Sequence, residues 1–323
     1  MIAMNTTDLK QPARHEHAPI IRVIVNGRAA DNPQLRTAVA QMRERGHCVE
    51  VRVTWESGDA RRFAAEAALA GIATVVAAGG DGTLHEVVNG VVDAGEPGRS
   101  AIGVLPLGTA NDFATACRIP TADLIDAFEL IVEGTASPID VGRLGKRVFI
   151  NVASGGFGAQ VTAETPQEIK RMLGAVAYFL TGLRHVTDLQ AQHVWLEAPE
   201  FAWEGAFYAL AVGNGRSAGG GFQICPRALP DDGMLEVVVI PEMPRAHLFS
   251  LLGDLRRGTH LSDVHTVYRR VSSLKIQSIE PLQVNLDGEP LHGHDFYFQT
   301  LPQQIPFYLP STAPLQSQRS PDD

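Results

Sequence analysis

Length, composition and charge already restrict what this chain of 323 residues can be. Its hydrophobic content of 45% is that of an ordinary globular protein, and its length is enough for two domains. A net charge of −9 argues against nucleic acid as a main partner, because binding to a phosphate backbone requires a basic surface. The three cysteines are widely separated and show no metal-binding spacing, which favours a reducing compartment.

Neither end of the chain is expected to contribute to a core. Residues 1–19 are polar and lack the apolar centre of a signal peptide, so we expect a disordered leader. Residues 311–323 are rich in Pro, Ser and Asp and are expected to form a flexible tail. No stretch reaches the ~20 apolar residues that span a membrane, so any membrane contact is expected to be peripheral.

Strands and helices alternate in the first part of the chain. The spacing of apolar residues predicts strands at Ile20–Val25, Val49–Val53, from Ala73 towards Gly79, and Ala101–Leu105. It predicts helices at Pro33–Gly46, Ser57–Ala70, from about Leu84, and Thr121–Gly134. Such alternation is typical of a mostly parallel sheet covered by helices on both faces. Residues 20–136 are therefore predicted to form a three-layer α/β domain.

The pattern changes after Pro138, where short β-rich runs follow one another between Gly, Pro and Asp turns. The runs are Ile139–Val141, Val148–Val152, Gln192–Glu197, Phe207–Val212, Leu235–Ile240, Ser273–Ser278 and Gln283–Leu286. Two helices interrupt them, at Pro166–Arg184 and Pro244–Arg257. Residues 137–310 are therefore predicted to form an antiparallel β-sandwich, whose last strands are free to pack back on the first domain.

A glycine-rich loop follows the third predicted strand, with the sequence Gly79-Gly80-Asp81-Gly82-Thr83. Glycines let backbone amides approach phosphate oxygens and permit positive φ, and a helix that begins after them directs its N-terminal amides at the same anion. An aspartate beside phosphate is reasonable if a divalent cation lies between them. Glycine turns follow strands in many α/β proteins, but this five-residue pattern favours a phosphate site.

A second loop of the same kind follows Ala101–Leu105 and runs from Gly108 to Phe113. Thr109, Asn111 and Asp112 are good helix caps, so the plain alternative is an ordinary helix start with Phe113 packed behind it. The two interpretations are compatible, because a capped helix N-terminus is also an anion site. The pair of loops predicts a nucleotide-phosphate site.

These motifs resemble those of the bacterial diacylglycerol-kinase-type lipid kinases. Gly79–Thr83 is similar to the Gly-Gly-Asp-Gly-Thr signature that this family shares with sphingosine kinases, NAD kinases and phosphofructokinases, and the second loop narrows the resemblance to lipid kinases. Asn26-Gly27 departs from the Asn-Pro of most members, so Asn26 is not included among the expected nucleotide contacts. Four further segments resemble the YegS-like branch of the family: Val51–Ala60, Gly155–Gly158, Gly213–Arg216 and Asn285–Leu291.

The resemblance implies that ATP binds in a cleft between an α/β domain and a β-sandwich. The implied nucleotide contacts are Thr54, Gly80, Asp81, Gly82, Thr83, Leu84, His85, Glu86 and Thr109. It further implies a carboxylate network that holds catalytic Mg²⁺, formed by Asp81, Asp112 and Asp140. Three carboxylates near a triphosphate are tolerable only when a metal neutralises them.

The family places its general base in the tripeptide Asp287-Gly288-Glu289. A carboxylate there would accept the proton of the lipid hydroxyl, and the second would orient it or hold Mg²⁺. Which of the two acts is open. From the residues alone a hairpin turn is favoured, because Asp-Gly after alternating apolar residues is a strong turn signal.

Two further segments have implied roles. Residues 229–234 resemble the structural Mg²⁺ loop of the family, with the Asp232 carboxylate and the carbonyls of Leu229 and Met234 as ligands; Ca²⁺ is the alternative ion. The helix Pro166–Arg184 carries apolar and basic residues and has two interpretations, a membrane-surface helix and a helix packed on the sandwich.

The expected function is transfer of the γ-phosphoryl group of ATP to a lipid hydroxyl, with phosphatidylglycerol as the first candidate and diacylglycerol as the second. The alternatives are a kinase of a soluble substrate, such as an NAD kinase, and a catalytically silent nucleotide- or lipid-binding regulator. The expected location is the cytoplasm, peripheral at the cytoplasmic face of the inner membrane, and a homodimer is left open.

Overall fold

The computed structural model describes residues 19–95, 100–156 and 190–316. Residues 1–18 of the predicted leader, the helix predicted at Pro166–Arg184 and residues 317–323 of the predicted tail lie outside the described residues. The α-helices of the described residues are α1 (Pro33–Glu44), α2 (Asp59–Leu69), α3 (Asp81–Asp93), α4 (Asp112–Ala116), α5 (Leu124–Glu133) and α6 (Arg245–Arg257). The strands are β1 (Ile20–Val25), β2 (Cys48–Val53), β3 (Thr74–Gly79), β4 (Ala101–Pro106), β5 (Ala136–Leu144), β6 (Arg147–Phe149), β7 (Val152–Gly156), β8 (Gln192–Ala198), β9 (Phe201–Gly213), β10 (Leu235–Pro241), β11 (Val267–Val271), β12 (Ser273–Leu286) and β13 (Glu289–Tyr308).

The first unit is a parallel sheet with strand order β2-β1-β3-β4. Strand β3 is buried along its whole length, as expected of a parallel strand covered on both faces. Helices α1 and α5 pack on one face, against Val23 and Val25. Helices α2 and α3 pack on the other, against Ile24 and Val75. The predicted three-layer α/β arrangement is confirmed.

Local sequence sets the ends of these helices. Pro33 occupies the first turn of α1, and the Asn32 side chain accepts a hydrogen bond from the Leu35 amide at 3.1 Å. Asp123 caps α5 in the same way, through the Ile125 amide at 2.8 Å. Each predicted helix of this unit is therefore present, with ends displaced by a few residues.

The second unit is built from antiparallel strands around an apolar core. Strand β9 lies at its centre and pairs with β7, β8 and β10. Strand β12 pairs with β7, β8 and β13. The paired strands enclose a common apolar core. Large buried side chains such as Phe207 and Phe298 fill the interior. The predicted β-sandwich is confirmed.

Strand β13 connects the two units. Its first half pairs with β12, its second half pairs with β5, and Phe307 pairs in parallel with Ile102 of β4. The register shifts between Leu301 and Ile305. We propose that the two units divide near residues 134–138, where the parallel alternation ends.

Three predicted β segments differ from the observed strands, and two observed strands were not predicted. Ser273–Ser278 and Gln283–Leu286 belong to the one strand β12, and Val148–Val152 is divided between β6 and β7. Strands β11 and β13 were not predicted. Pro302 and Pro306 interrupt the alternation within β13, and prolines are tolerated where a strand is irregular, as here beside Gln303 with its φ of 49°.

Candidate active site

Four loops meet at the carboxyl-terminal edge of the parallel sheet, after β1, β2, β3 and β4. Strand β1 has β2 on one side and β3 on the other, and α/β sheets form their ligand crevices where the strand order reverses in this way. A cavity of about 540 Å³ lies at this edge, and a second of about 550 Å³ adjoins it. Residues shared by the walls of both cavities are Asn26, Arg28, Thr83 and Glu86.

Helix α3 begins at Asp81, three residues before the predicted start at Leu84. Gly80 is its N-terminal flanking residue and makes no side-chain cap. The first amides of a helix have no acceptor within it, and they carry the positive end of the helix dipole. Because Gly82 and Thr83 line the first of these cavities, this end of α3 is suited to an anion.

The glycines of the first loop allow close packing and are not used for positive φ. None of Gly79, Gly80 and Gly82 has a positive φ, so that part of the sequence argument is wrong. A Cβ on Gly79 would collide with the Thr83 side chain, and one on Gly108 would collide with the Gly80 backbone. A Cβ on Gly82 would meet no protein atom within 4 Å, so this glycine leaves space in the cavity instead.

The second loop is closed by Asn111, which has a φ of 49°. Its side-chain oxygen accepts a hydrogen bond from the Gly108 amide, and its side-chain nitrogen donates to the Gly108 carbonyl, both at 2.9 Å. Asn111 therefore makes no cap on α4, although it occupies the capping position. This closure places Thr109 on the cavity wall and Phe113 against Phe307, with ring centroids 5.1 Å apart.

Asp81 joins the two loops. Its carboxylate accepts hydrogen bonds from the amides of Asp112 and Phe113, both at 3.1 Å, and so sits at the N-terminus of α4. Burial, followed by the nearby Asp112 carboxylate, raises the pKa of Asp81 to about 6. Since both effects disfavour the ionised form, a cation in the cavity would relieve them.

Asp112 makes the corresponding contact with the second unit. Its two oxygens accept hydrogen bonds from the amides of Gly220 and Gly221, at 2.9 and 2.7 Å. Both glycines have positive φ, at 84° and 93°, which the turn requires. Burial raises the pKa of the Asp112 carboxyl as well.

Asp287 occupies a tight turn and also faces the cavity. Asp287 and Gly288 have φ values of 46° and 105° and connect β12 to β13 as a two-residue hairpin. The carboxylate accepts hydrogen bonds from three successive amides, those of Ile150 at 2.8 Å, Asn151 at 3.1 Å and Val152 at 3.0 Å. Asp287 therefore forms the hairpin turn that the residues predict, and it also lines the cavity, as the family resemblance implies.

His85 lies between the two carboxylates of the hairpin. Its Nδ1 is 3.3 Å from Oδ2 of Asp287, and its Nε2 is 4.0 Å from Oε2 of Glu289. Burial opposes the charged imidazole, but the hydrogen bond and charge of Asp287 outweigh it, so the pKa of His85 is raised. Glu289 differs from Asp287 in that its side chain is 48% exposed and its oxygen lies 3.1 Å from the guanidinium of Arg147.

Two of the implied site residues, Asp140 and Leu84, line neither cavity. The carboxylate of Asp140 is completely buried and accepts hydrogen bonds from the amides of Gly233 and Gln303, so the structure does not bring it to Asp81 and Asp112. Strand β5 carries it into the second unit. Leu84 is 2% exposed and packs in the core beneath α3.

Asp140 lies beside the segment 229–234 instead. The Asp232 carboxylate accepts a hydrogen bond from the Met234 amide at 2.9 Å and pairs with Arg270 at 2.5 Å. Burial raises the pKa of both Asp140 and Asp232. Two buried carboxylates beside a tight turn are a donor set that suits a hard cation.

Thr54 and its neighbours form the second cavity. The Thr54 hydroxyl accepts a hydrogen bond from the Gly27 amide at 3.0 Å, which fixes the loop after β1 to the loop after β2. Asp59 holds the latter loop by accepting hydrogen bonds from the amides of Trp55 and Glu56. The first of these bonds is the main cause of its pKa, which is lowered to about 2. Trp55 itself is 95% exposed on the cavity wall.

Sequence reasoning missed several residues of the site. Asn26 donates to the Thr83 hydroxyl at 3.2 Å, although it had been left out of the expected contacts. Asn89 is 2% exposed; it bonds both backbone groups of Val148 and so ties α3 to β6. The three consecutive glycines 219–221 were a visible signal, whereas nothing in the local sequence distinguishes Asn89.

The structure brings together four carboxylates on the wall of one cavity, those of Asp81, Asp112, Asp287 and Glu289. A hard dication suits such a set, because the charge of Asp287 also contributes to the raised pKa of Asp81 and Asp112.

Among the helices within the described ranges, none is long and apolar enough to cross a membrane.

Comparisons with known proteins match two family models to successive parts of the chain. Residues 21–144 match the family model of the diacylglycerol kinase catalytic domain. Residues 151–308 match the model of the YegS C-terminal NAD kinase beta sandwich-like domain. A solved structure from Bacillus anthracis superposes with a TM-score of 0.77 at 22% identity, covering 93% of this chain and 98% of that one. This last similarity concerns the fold alone.

Curated relatives are similar in sequence to this chain along almost their whole length. The "Probable lipid kinase YegS-like" of Pseudomonas aeruginosa is 45% identical over 295 residues, which cover 91% of this chain and 96% of the relative. The protein of the same name from Xanthomonas euvesicatoria is 45% identical over 302 residues, covering 91% and 97%. With its two matching domains and this degree of identity, the chain belongs to the YegS-like family of diacylglycerol-kinase-type proteins.

Proposed function

We propose that this protein is an ATP- and magnesium-dependent lipid kinase. The observation that carries the proposal is the single cavity in which a glycine-built helix N-terminus faces the carboxylates of the Asp287–Glu289 hairpin. The first feature suits a phosphate donor and the second suits activation of a hydroxyl acceptor. The names of the relatives supply the lipid class of the acceptor.

Each of the two adjoining cavities would bind one part of the nucleotide. The triphosphate would lie against the first turn of α3, where Gly82 leaves space and Thr83 can donate its hydroxyl. The adenine would lie in the second cavity, beside Thr54 and the exposed ring of Trp55. An exposed indole offers a flat apolar surface on which a purine can stack.

This placement can be tested by fluorescence, because the chain has only three tryptophans. We expect MgATP to quench the emission of Trp55, while Trp195 and Trp203 lie in strands β8 and β9. The Trp55→Phe variant should lose the quench, and Trp203→Phe should keep it. An equal quench in both variants would contradict the placement.

Asp81 and Asp112 would hold the catalytic Mg²⁺, which neutralises the phosphate charge when bound. Each carboxylate is already oriented by backbone amides, so it needs no rearrangement to serve as a ligand. Asp140 is not part of this proposal, because its carboxylate is buried elsewhere.

Glu289 is the better candidate for the general base. Asp287 accepts hydrogen bonds from three amides and His85, so its oxygens are occupied and it serves to position the turn. Glu289 is half exposed at the cavity and can reach an incoming hydroxyl. The acceptor oxygen would bond to the γ-phosphorus as its proton passes to Glu289, and the bond from that phosphorus to the bridging oxygen of ADP would break.

A second cation would have a structural role at residues 229–234. The proposed ligands are the Asp232 carboxylate and the carbonyl oxygens of Leu229 and Met234, and either Mg²⁺ or Ca²⁺ suits oxygen ligands. The pairing of Asp232 with Arg270 already neutralises part of the charge there. This ion would fix the turn against the buried Asp140 rather than take part in phosphoryl transfer.

The acceptor is proposed to be phosphatidylglycerol, with diacylglycerol as the second candidate. Both present a hydroxyl at the surface of a membrane, so the enzyme would act from the cytoplasm on the cytoplasmic face of the inner membrane, without spanning it.

The decisive experiment uses radiolabelled MgATP with mixed detergent–lipid micelles and a panel of lipids. We expect the purified protein to label one lipid class, and to lose this activity when Mg²⁺ is chelated. Label that appears only in NAD would favour a soluble-substrate kinase. Nucleotide binding without transfer to any lipid would favour a silent regulator.

A further inference from the structure

Two histidines and an aspartate converge on the second unit, at a place separate from the cavity walls described above. His247 lies in the first turn of α6. Asp263 directly follows the short 3₁₀ helix His260–Ser262, and His265 precedes β11. Their metal-ligating atoms all lie within 4.8 Å of one another.

The geometry of the cluster is close to that of a metal site. Nε2 of His247 is 2.7 Å from Oδ2 of Asp263. The rings of His247 and His265 are 5.3 Å apart between centroids and nearly perpendicular, at 85°. Ligands of a tetrahedral Zn²⁺ lie about 3.3 Å apart, given bond lengths of about 2.0–2.1 Å. The ligand atom of His265 lies within 4.8 Å of the other two, and its side chain is exposed, so binding of an ion would require it to move closer.

Local hydrogen bonds hold the aspartate in place for this role. The second oxygen of Asp263 accepts a hydrogen bond from the His265 amide at 2.9 Å. The Asp263 amide donates to the His260 carbonyl, and the Thr266 amide donates to the Asp263 carbonyl, both at 3.1 Å. Metal-ligating carboxylates are commonly oriented by such outer hydrogen bonds.

The types of ligand decide which ion would bind. Two imidazole nitrogens and one carboxylate suit Zn²⁺ and the neighbouring first-row transition metals, whereas Mg²⁺ and Ca²⁺ prefer oxygen ligands. The competing explanation is a plain His247–Asp263 ion pair with an aromatic contact. In that explanation the ring of His265 only packs against His247 and takes no part in binding an ion.

We propose that His247, Asp263 and His265 form a binding site for a transition-metal dication of the Zn²⁺ class. Three protein ligands leave a fourth position for water. Because the ligands come from α6 and from the segment that leads to β11, the ion would fasten this helix to the sandwich. The site does not depend on the proposed kinase activity, and its test does not use that activity.

The test is a Zn²⁺ titration of the full chain, first freed of metal with a chelator, in competition with a chromophoric Zn²⁺ indicator. The chain contains 11 histidines, among them His15 and His17 near the N-terminus, so sites are counted as differences between variants. We expect His265→Ala to lose one Zn²⁺ equivalent, or to bind it about 100-fold more weakly. His265 is exposed, so this variant is expected to fold.

His193→Ala is the matched control. His193 is also a surface histidine bonded to a carboxylate, that of Glu204 at 3.2 Å, but no second histidine completes a cluster there within the described residues. We expect this variant to keep the wild-type number of Zn²⁺ equivalents. Excess Mg²⁺ should not displace the ion, and Zn²⁺ should raise the unfolding temperature of the wild type by more than that of His265→Ala.

Two outcomes would overturn the proposal. One is equal Zn²⁺ stoichiometry and affinity in the wild type and His265→Ala, which would leave a simple ion pair. The other is displacement of the ion by Mg²⁺ at millimolar concentration, which would assign the binding to the carboxylates of the kinase cavity.

Discussion

The two walls of the cavity are constructed in different ways. The wall that we propose binds the nucleotide, the nucleotide wall, consists of two glycine loops that are close together in the chain and expose backbone amides. The opposite wall depends on contacts between distant segments, such as the Asp287 carboxylate with the Ile150 amide, 137 residues away. The comparison shows that the proposed phosphate site is specified by neighbouring residues, whereas the proposed acceptor site depends on contacts between segments that are distant in the chain.

Both walls contain aspartates that are hydrogen-bonded to backbone amides. Asp81, Asp112 and Asp287 each accept hydrogen bonds from backbone amides of another segment, so they fix loops as well as carrying charge. Glu289 has no such bonds to amides among the hydrogen bonds of the described residues, and it contacts Arg147 instead. We therefore expect the aspartates to affect stability and Glu289 to affect chemistry alone.

The largest effect is expected from Glu289→Gln, which removes the proposed base. The turnover number for lipid phosphorylation should fall about 10²–10⁴-fold, because a glutamine cannot accept the proton. The free energy of unfolding should change little, since the side chain is 48% exposed. Initial rates and urea unfolding measure the two quantities.

Glu280→Gln provides the control for that variant. Glu280 is an exposed glutamate in β12, away from the residues that line the cavity. Its substitution should leave both the rate and the stability unchanged. Wild-type rates in Glu289→Gln would show that the base lies elsewhere.

The second expected effect is a change with pH in the free energy of unfolding, caused by Asp81. Its folded-state pKa of about 6 is above the ordinary value of 3.8, so between these values the unfolded chain has lost the proton while the folded chain keeps it. Without Mg²⁺, the stability of the wild type should therefore fall relative to Asp81→Asn as pH rises from about 4 to about 7. The full change corresponds to about 3 kcal/mol.

Urea unfolding of both proteins at several pH values measures this difference. Added Mg²⁺ should reduce it, because a cation held by Asp81 and Asp112 stabilises the ionised form. A pH-independent difference between wild type and variant would argue against a raised pKa. A difference that Mg²⁺ leaves unchanged would argue against metal binding by Asp81.

The third variant, Asp287→Asn, separates the two carboxylates of the hairpin. An asparagine offers one acceptor oxygen for the amides of Ile150, Asn151 and Val152, so at least one buried donor loses its partner. We expect a loss of about 1–3 kcal/mol in the free energy of unfolding, together with reduced activity. Unchanged stability would contradict the positioning role.

The smallest effects distinguish two glycines of the nucleotide wall. Gly108→Ala should destabilise the fold by about 1–3 kcal/mol, because its Cβ would collide with the Gly80 backbone. Gly82→Ala should leave stability almost unchanged, since no protein atom lies within 4 Å of the added carbon. It should instead weaken ATP binding by about 10-fold if phosphate occupies that space.

Isothermal titration with MgATP and thermal unfolding distinguish these two results. Equal ATP affinity in Gly82→Ala and the wild type would mean that the phosphates lie elsewhere in the cavity.

The features that could be predicted from sequence are those governed by local spacing. The alternation of strands and helices up to Glu133, and the two glycine loops, follow from periodicity and turn chemistry. The start of α3 was predicted three residues too late, because the Gly-Asp-Gly sequence suggested a loop although Asp81 belongs to the helix.

The features that could not be predicted depend on long-range contacts. Asp140 was grouped with Asp81 and Asp112, but pairing of β5 with β13 places it beside Gly233. The turn at Asp287 could be predicted, whereas the three amides that bind its carboxylate could not, because they lie where β6 passes into β7, far from Asp287 in the chain. For the same reason, Asn89 resembles any other helical asparagine until β6 packs against it.

Strand β13 has a mechanical consequence. Its first residue is Glu289 and its last residues pair with β4 and β5, so one continuous strand links the proposed base to the sheet that carries the nucleotide loops. A large rotation of one unit about the other would break this pairing. We therefore expect the paired strands to limit changes in the distance between donor and acceptor, with substrate entry governed by loop movement rather than by the opening of a hinge.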